Sequence, residues 1–423
     1  MSGLRQKTVR TGSFGVEKEQ HVIIAGAGIG GLTAALALLR RGIDVDVYEQ
    51  AAELKELGAG IQMAANGTRL LIELGLEEAL LPIVSLAAGK EVRIWNTGQT
   101  WKLFNLGEDS IRRFDAPYWM VHRGQLHTVL MNAVEALKPG AIHTGARVTG
   151  YTQGAGAVTL HIDGQPDATG TILIGADGVH SVLREQISDS PKAQFTGLMA
   201  WRGLVPMDAL PEELRRPVGT NWIGPGGHVI TYPICSGDYL NFVGLVENPE
   251  WTRESWSEAG TVDEALADFQ AWHPLVQEVV RNLDTPYRWA LVGRAPLTNW
   301  TDGRVTLMGD ACHPTLPFLA QGAIMAIEDG VVLARCIEAF GDDPQKALST
   351  YEDLRIERTT AIVNGSNANL DRFHNRALAD PIQAAEYVER EWAPEKVRVR
   401  YDWLFEYDAN TVPLTPKATL QTA

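Results

Sequence analysis

Residues 21–49 read HVIIAGAGIGGLTAALALLRRGIDVDVYE. Val22–Ile23–Ile24–Ala25 is a short, β-branched apolar run, the pattern of a buried strand. Gly26, Gly28, Gly30 and Gly31 interrupt it, and a helical stretch follows to about Arg41. Ile43–Glu49 then alternates apolar and acidic residues, a second strand. Strand, glycine turn, helix and strand make a βαβ unit, which implies a parallel sheet with a right-handed crossover. Gly26, Gly28 and Gly31 fit G-x-G-x-x-G. The first glycine permits the tight turn, the second lets a pyrophosphate approach the backbone, and the third allows close helix–strand packing. The helix start offers free N–H groups and partial positive charge to the phosphates. Glu49, 23 positions after Gly26, is placed to accept both hydroxyls of an adenosine ribose. The motif does not separate NAD from FAD.

From Val22 to Leu39 no residue is charged, a length that could suit a membrane helix. The four glycines at one end argue instead for a turn and a packed helix. The chain has 423 residues and a formal net charge of −15, without long blocks of like charge. An acidic surface opposes nucleic acid as a partner. Arg5, Lys7 and Arg10 lie in a polar, glycine-containing N-terminal tail, read as loose, with no signal-peptide pattern. The three cysteines, Cys235, Cys312 and Cys336, form no CxxC pair or Cys/His cluster, so neither a metal site nor a disulfide framework is expected, and a cytoplasmic setting fits.

Further along, Asn66–Leu74 has helical spacing with Asn66 as the expected cap. Val92–Phe104 reads as strands around a turn at Asn96–Thr97–Gly98. Arg123–Leu137 reads as a helix with Leu126, Leu130, Ala133 and Leu137 at core spacing. A β-rich stretch covers 141–175. From about Ala193 to Arg288 a second β-rich region contains LMAWRGLVP, GHVITYP and YLNFVGLVE, with a helix near Val262–Trp272. RVTLM at 304–308 is a buried strand, and Gly322–Phe340 and Asp342–Asn369 read as long helices. The aromatic cluster Tyr401, Trp403, Phe405 and Tyr407 is expected to dock as a tail, and a homodimer stays open.

Two more motifs bear on the cofactor. Gly175–Arg184 reads GADGVHSVLR, and Gly309–Pro314 reads GDACHP directly after RVTLM. Asp177, Gly178, Ser181 and Arg184 match D-G-x-x-S-x-x-R. Gly309, Asp310, Ala311, His313 and Pro314 match G-D-A-x-H-P. On these motifs, in order over nearly the whole chain, the sequence resembles the single-component FAD-dependent aromatic hydroxylases related to salicylate hydroxylase, 3-hydroxybenzoate 6-hydroxylase and 6-hydroxynicotinate 3-monooxygenase. The resemblance implies FAD, contacted over Gly26, Gly28, Gly31, Glu49, Gln62, Arg123, Val148, Asp177, Asp310, Gln321, Gly322 and Ala323. Asp310 would accept from the ribityl hydroxyls, a role compatible with capping a helix. Arg123 would face the ribose and pyrophosphate, or be an ordinary surface arginine at a helix start. Asp177 would serve cofactor and nicotinamide handling, or be a turn residue before glycine. The start of the helix at Gly322 could stabilise negative charge on reduced flavin.

In GPGGHVITYP, His228 and Tyr232 lie four apart, which puts both on one face of a strand. The resemblance makes His228 the base that activates a phenol and Tyr232 its neighbour. A neutral imidazole suits that proton transfer near pH 7. The other reading is a core histidine beside a packed tyrosine. Arg202 would receive a substrate carboxylate or pair with the protein's own acids. Pro317 and Phe318 replace polar residues found in relatives, which puts any narrow substrate assignment in doubt.

The expectation is an α/β chain: a Rossmann-like FAD-binding domain (19–90, 119–190 and 289–370), an inserted β-rich substrate-binding domain (91–118 and 191–288), and a C-terminal segment (371–423). The implied activity is hydroxylation of a small phenolic acid with O2 and NADH (or NADPH), through a flavin C4a-hydroperoxide. Flavin oxidoreduction without oxygen transfer, or a different aromatic or heteroaromatic substrate, remains open.

Overall fold

The computed structural model describes residues 20–54, 59–189, 193–248 and 258–415. The basic N-terminal cluster lies outside them. Val22, Ile23, Ile24 and Ala25 are fully buried in the central strand His21–Ala25. That strand pairs in parallel with Asp44–Glu49 on one side and Ile172–Gly175 on the other. Val305–Leu307 and Ile142–Thr144 extend the sheet in parallel, and Thr301–Asp302 adds an antiparallel edge, giving six strands. The helices Ile29–Leu39 and Gly322–Phe340 pack so closely that a Cβ on Gly330 would stand 2.8 Å from the Ala34 backbone. Only glycine tolerates that approach.

A seven-stranded sheet forms the second body, in the order 287–293, 194–206, 239–247, 227–234, 218–224, 89–94 and 100–105. Strand alternation divides its faces. Trp201, Trp222, Val229 and Phe242 face outward, into a small core with Phe269 and Val276 of the helices Val262–Phe269 and Pro274–Arg281. Ile223, Ile230, Tyr232 and Leu245 face inward, into the main core shared with the six-stranded sheet. The fold is therefore α/β, a Rossmann-like unit carrying an inserted β-rich unit and C-terminal helices. The tail docks: Tyr401 and Phe405 meet Phe104, edge to face, at ring-centroid distances of 5.3 and 6.2 Å.

Two local expectations change. Asn66 lies inside the helix Ala65–Glu73 and does not cap it; its amide reaches Gln321 Oε1 at 2.9 Å and Glu328 Oε1 at 2.7 Å. A tertiary demand for a donor outweighs the local capping preference there. On Arg123–Leu137 the buried stripe is Leu126, His127, Leu130 and Val134, and Leu137 is half exposed where the last turn runs past the core edge.

Asn66 belongs to a buried polar network. Asp329 accepts from Gly309 N (2.9 Å), His313 Nε2 (2.6 Å) and Arg355 Nε (2.7 Å). Glu328 pairs with Arg355 at 2.8 Å and Arg358 at 2.7 Å. Burial alone would raise the Asp329 carboxyl, but His313 and Arg355 hold it down at about 2. Cys312, His313 and Asp329 stand within metal-ligand reach of one another, yet the Arg355 charge on Asp329 opposes a cation. Replacing Asp329 with Ala would leave the buried Arg355 guanidinium sharing Glu328 with Arg358, one positive charge in excess. The expected cost is about 3–5 kcal/mol of folding stability, read by urea denaturation; a loss under about 1 kcal/mol would show the network to be dispensable.

Candidate active site

The glycine turn behaves as its spacing demands. Gly26 has φ +106°, and a Cβ there would lie 2.3 Å from Ala176 O. A Cβ on Gly31 would stand 2.0 Å from Gly26 O, whereas one on Gly28 would meet nothing within 4 Å. The first and third glycines are thus required by the protein itself. The open side of the second is where a diphosphate can approach the backbone. Glu49 Oε2 accepts from Ala27 N and Oε1 from Ala51 N, both at 2.9 Å. The carboxylate is thereby fixed beside the turn, with lone pairs left for hydroxyl donors. His127 Nε2, 2.7 Å from Ala27 O, braces the same loop. Val148 begins the strand Val148–Gln153, two residues after Ala146, whose N–H donates to Glu49 O at 2.8 Å.

Across the sheet, the G-D-A-x-H-P segment leaves Val305–Leu307 as a short 3-10 turn at Gly309–Ala311. Asp310 is an exposed side chain, yet the protein surrounding it pushes its carboxyl upward. Both hold for a carboxylate that reaches solvent while protein atoms crowd around it. Arg123, at the start of the helix Arg123–Leu137, exerts a charge effect on both Asp310 and Arg202, so the three lie in one electrostatic neighbourhood. Arg184 is buried and donates to Ala311 O at 3.1 Å and Val179 O at 2.8 Å, tying the two aspartate motifs together. Asp177 Oδ2 accepts from Val182 N (3.0 Å) and Leu183 N (3.3 Å), while its Oδ1 is buried with no hydrogen-bond partner among the described residues. Asp177 is therefore a helix-start residue with one oxygen to spare. Gln321 is buried and its side chain is held by Asn66; Gly322 and Ala323 open a helix with no acidic residue in its first turn.

These features fit FAD. The open Gly28 backbone suits a diphosphate, Glu49 a ribose, and Asp310 a polyol chain.

The inward face of the seven-stranded sheet carries the other candidates. Tyr232 pairs with Asn241 across strands, and a Cβ on Gly60 would meet both side chains. Gln62 is buried and accepts from Tyr118 Oη at 3.0 Å. Arg202 stacks on Trp289 at 3.8 Å, and burial lowers its pKa to about 10. Lys90, which sequence reading missed, is buried over Gly219, with its ammonium 5.8 Å from the Tyr118 ring centre. Burial lowers its pKa to about 8, and no carboxylate pairs with it among the described residues. Asn221 Oδ1, Asn241 Nδ2 and His228 Nε2 are also buried without hydrogen-bond partners among the described residues. Orphaned polar atoms in such number are costly unless a ligand answers them.

His228 is fully buried, and burial, followed by the adjacent His374, lowers its pKa well below the ordinary histidine value. Phe318 meets its ring edge to face at 5.1 Å and Phe373 lies tilted against it at 5.0 Å, while Pro317, next to Phe318 in the chain, is exposed. The structure thus gathers His228 with Phe318, and Tyr232 with Gly60. Lys90, His374, Asp329 and Arg355 were not legible beforehand, because each acquires its meaning from burial or from partners on other elements, 16 to 146 positions away.

A glycine turn open to a diphosphate, a glutamate fixed beside it and an exposed aspartate after a neighbouring strand are the features expected of an FAD-binding flavoprotein. The FAD binding domain family matches residues 19–366, and the chain belongs to it. It is 40% identical over 84% of its length to a 3-amino-4-hydroxybenzoate 2-monooxygenase of Streptomyces platensis, covering 88% of that protein. It is 34% identical to a 3-hydroxybenzoate 6-hydroxylase of Polaromonas naphthalenivorans, covering 92% of this chain and 96% of the relative. Among solved structures, Klebsiella pneumoniae HpxO complexed with FAD and uric acid superposes with a TM-score of 0.77 at 28% identity, covering 90% of this chain and 97% of that one. The chain is an FAD-dependent aromatic-ring monooxygenase. No helix among the described residues is long and apolar enough to cross a membrane.

Glu49→Ala removes a charged acceptor near the ribose while leaving the core intact. FAD affinity should fall roughly 10- to 100-fold, the loss expected for one charge-assisted hydrogen bond. Asp310→Ala should act likewise. Fluorescence titration of the apoprotein with FAD measures both, and wild-type affinity in either variant would remove that residue from the cofactor site.

Proposed function

We propose that the enzyme hydroxylates a small phenolic acid of the hydroxybenzoate, salicylate or hydroxynicotinate type, with NADH as reductant and His228 as base. The observation that carries this reading is the inward sheet face, where two desolvated cations, half-buried Arg202 and buried Lys90, share a surface with a neutral buried histidine. The names of the two relatives, both enzymes of hydroxybenzoates, support the same substrate class. An anionic aromatic suits such a face: its carboxylate is held by the cations, and its ring by Tyr232 and Phe318. Residues 91–118 and 191–288 are assigned to substrate, and the glycine turn, Glu49, Gln62, Arg123, Val148, Asp177, Asp310 and Gln321–Ala323 to FAD.

FAD, when bound, supplies the oxygen chemistry, taking a hydride from reduced nicotinamide and activating O2 as an electrophile. The protein's part is to make the ring nucleophilic. His228 Nε2 takes the proton of the substrate hydroxyl, because a phenolate reacts with an electrophilic oxygen far better than a phenol does. Burial keeps the imidazole neutral and therefore basic at neutral pH. As the residues stand, His228 is sealed, so substrate reaches it when one phenyl ring turns aside. Phe318, on a 3-10 turn, moves more easily than Phe373, which is fully buried and stacked on Trp392 at 5.7 Å. The same rings exclude water from the reacting centre.

A panel of hydroxybenzoates and hydroxynicotinates, assayed for NADH oxidation with product identification, tests the substrate class. Failure of every member to be hydroxylated sinks it, and a preference for NADPH overturns the choice of reductant. His228→Ala should slow hydroxylation about 10²- to 10⁴-fold, with H2O2 replacing product and FAD retained. Tyr232→Phe should be milder. Unchanged product per NADH in folded His228→Ala would take His228 out of the mechanism.

A further inference from the structure

His228 is the inner end of a hydrogen-bonded line that reaches the surface. Its Nδ1 lies 2.7 Å from His374 Nε2, and His374 Nδ1 lies 3.2 Å from Glu247 Oε1. The side chains grade from fully buried His228 through His374, 4% exposed, to Glu247, 59% exposed. The three residues come from the strand Gly227–Ile234, the end of the helix Pro344–Phe373, and the last residue of the strand Tyr239–Glu247.

The chemistry of the line gives it a direction. A carboxylate only accepts, so the proton facing Glu247 belongs to His374 Nδ1. A neutral imidazole has one N–H, which leaves His374 Nε2 as a lone pair. That lone pair must receive the Nδ1–H of His228, since two lone pairs at 2.7 Å would repel. His228 is then left with a bare Nε2, the nitrogen that has no hydrogen-bond partner among the described residues. Burial lowers both imidazoles, His228 well below the usual value, which agrees with a neutral line. The charged groups acting on His374 are Glu247 and Asp371.

We propose that Glu247 and His374 are positioning residues that set the tautomer of His228 and carry its proton to and from solvent, an inference that rests on His228 being the base. When the substrate O–H bond breaks, its proton goes to His228 Nε2. The His228 Nδ1 proton passes to His374 Nε2, and the His374 Nδ1 proton passes to the Glu247 carboxylate and on to water. Each imidazole ends neutral in the opposite tautomer. The reverse hops return one proton to the product phenolate and reset the line. No oxidant or further reactant is consumed.

The first test needs no substrate. In the FAD-loaded enzyme labelled with 15N-histidine, the imidazole nitrogens of His228 and His374, assigned through His228→Ala and His374→Gln, should both report Nδ1–H with bare Nε2. An Nε2–H tautomer at His228 overturns the proposal. The second test uses 3-hydroxybenzoate as the probe, followed as product per NADH. Glu247→Ala, at an exposed position that does not threaten folding, should lower coupled turnover about 3- to 10-fold. His374→Ala should lower it about 10-fold or more, within the range of general-base effects, with FAD content retained and partial rescue by added imidazole. If His228→Ala is impaired while both other variants match the parent enzyme, the relay fails and the base assignment stands. If His228→Ala itself is unimpaired, or 3-hydroxybenzoate and every other member of the panel go unhydroxylated, the underlying functional reading fails, and the tautomer measurement alone decides the line.

Discussion

The carboxylate of Asp329 is the point on which the cofactor end of this molecule depends. It gathers a backbone amide of the G-D-A-x-H-P turn, the imidazole of the same motif and a guanidinium from the long helix Pro344–Phe373. A buried carboxylate is tolerable only when its charge and lone pairs are answered, and here three groups from two segments answer them. The consequence is geometric. Gly309 sits at φ +60° and is pinned by Asp329, so the exposed carboxylate of Asp310 next to it is aimed by a group on another helix. Glu328, one residue away, anchors Asn66 and through it Gln321, which leads into the helix at Gly322. The Asp310 turn and the start of the helix at Gly322 therefore share one support.

The seven-stranded sheet shows the opposite economy. Its outward face is filled by tryptophans, phenylalanines and valines that close a small satellite core. Its inward face places Arg202, Lys90, Asn221, Tyr232, Asn241 and His228 where apolar residues would give a more stable protein. Desolvated cations and orphaned amides cost folding free energy. Their concentration on one face, opposite the cofactor unit, is the physical mark of a surface arranged for a ligand.

Much of the architecture was legible because it rests on local rules. The turn at Gly26 needs a positive φ, Gly31 faces a carbonyl at contact distance, and the strand before them is β-branched. The helix bounds Arg123–Leu137 and Gly322–Phe340 followed from spacing alone. Errors came where a distant partner outbid a local preference: Asn66 read as a cap because asparagine caps helices, and it became a network donor because Gln321 and Glu328 lie across the core.

The sequence by itself determined the βαβ turn, the carboxylate of Glu49 at the end of its second strand, the two aspartate motifs and the placing of His228 and Tyr232 on one strand face. These depend on spacing within a few residues, or within one supersecondary unit. Only the tertiary structure decided that Asp329 holds the Asp310 loop, that Lys90 is buried without a counter-charge among the described residues, and that His228 meets His374 and Glu247 in a line to solvent. The physical reason is that charge, tautomer and solvation depend on what lies within a few ångströms in space. For these groups the neighbours are supplied by chain folding and not by adjacent residues: His228 and His374 stand 146 positions apart and 2.7 Å from each other.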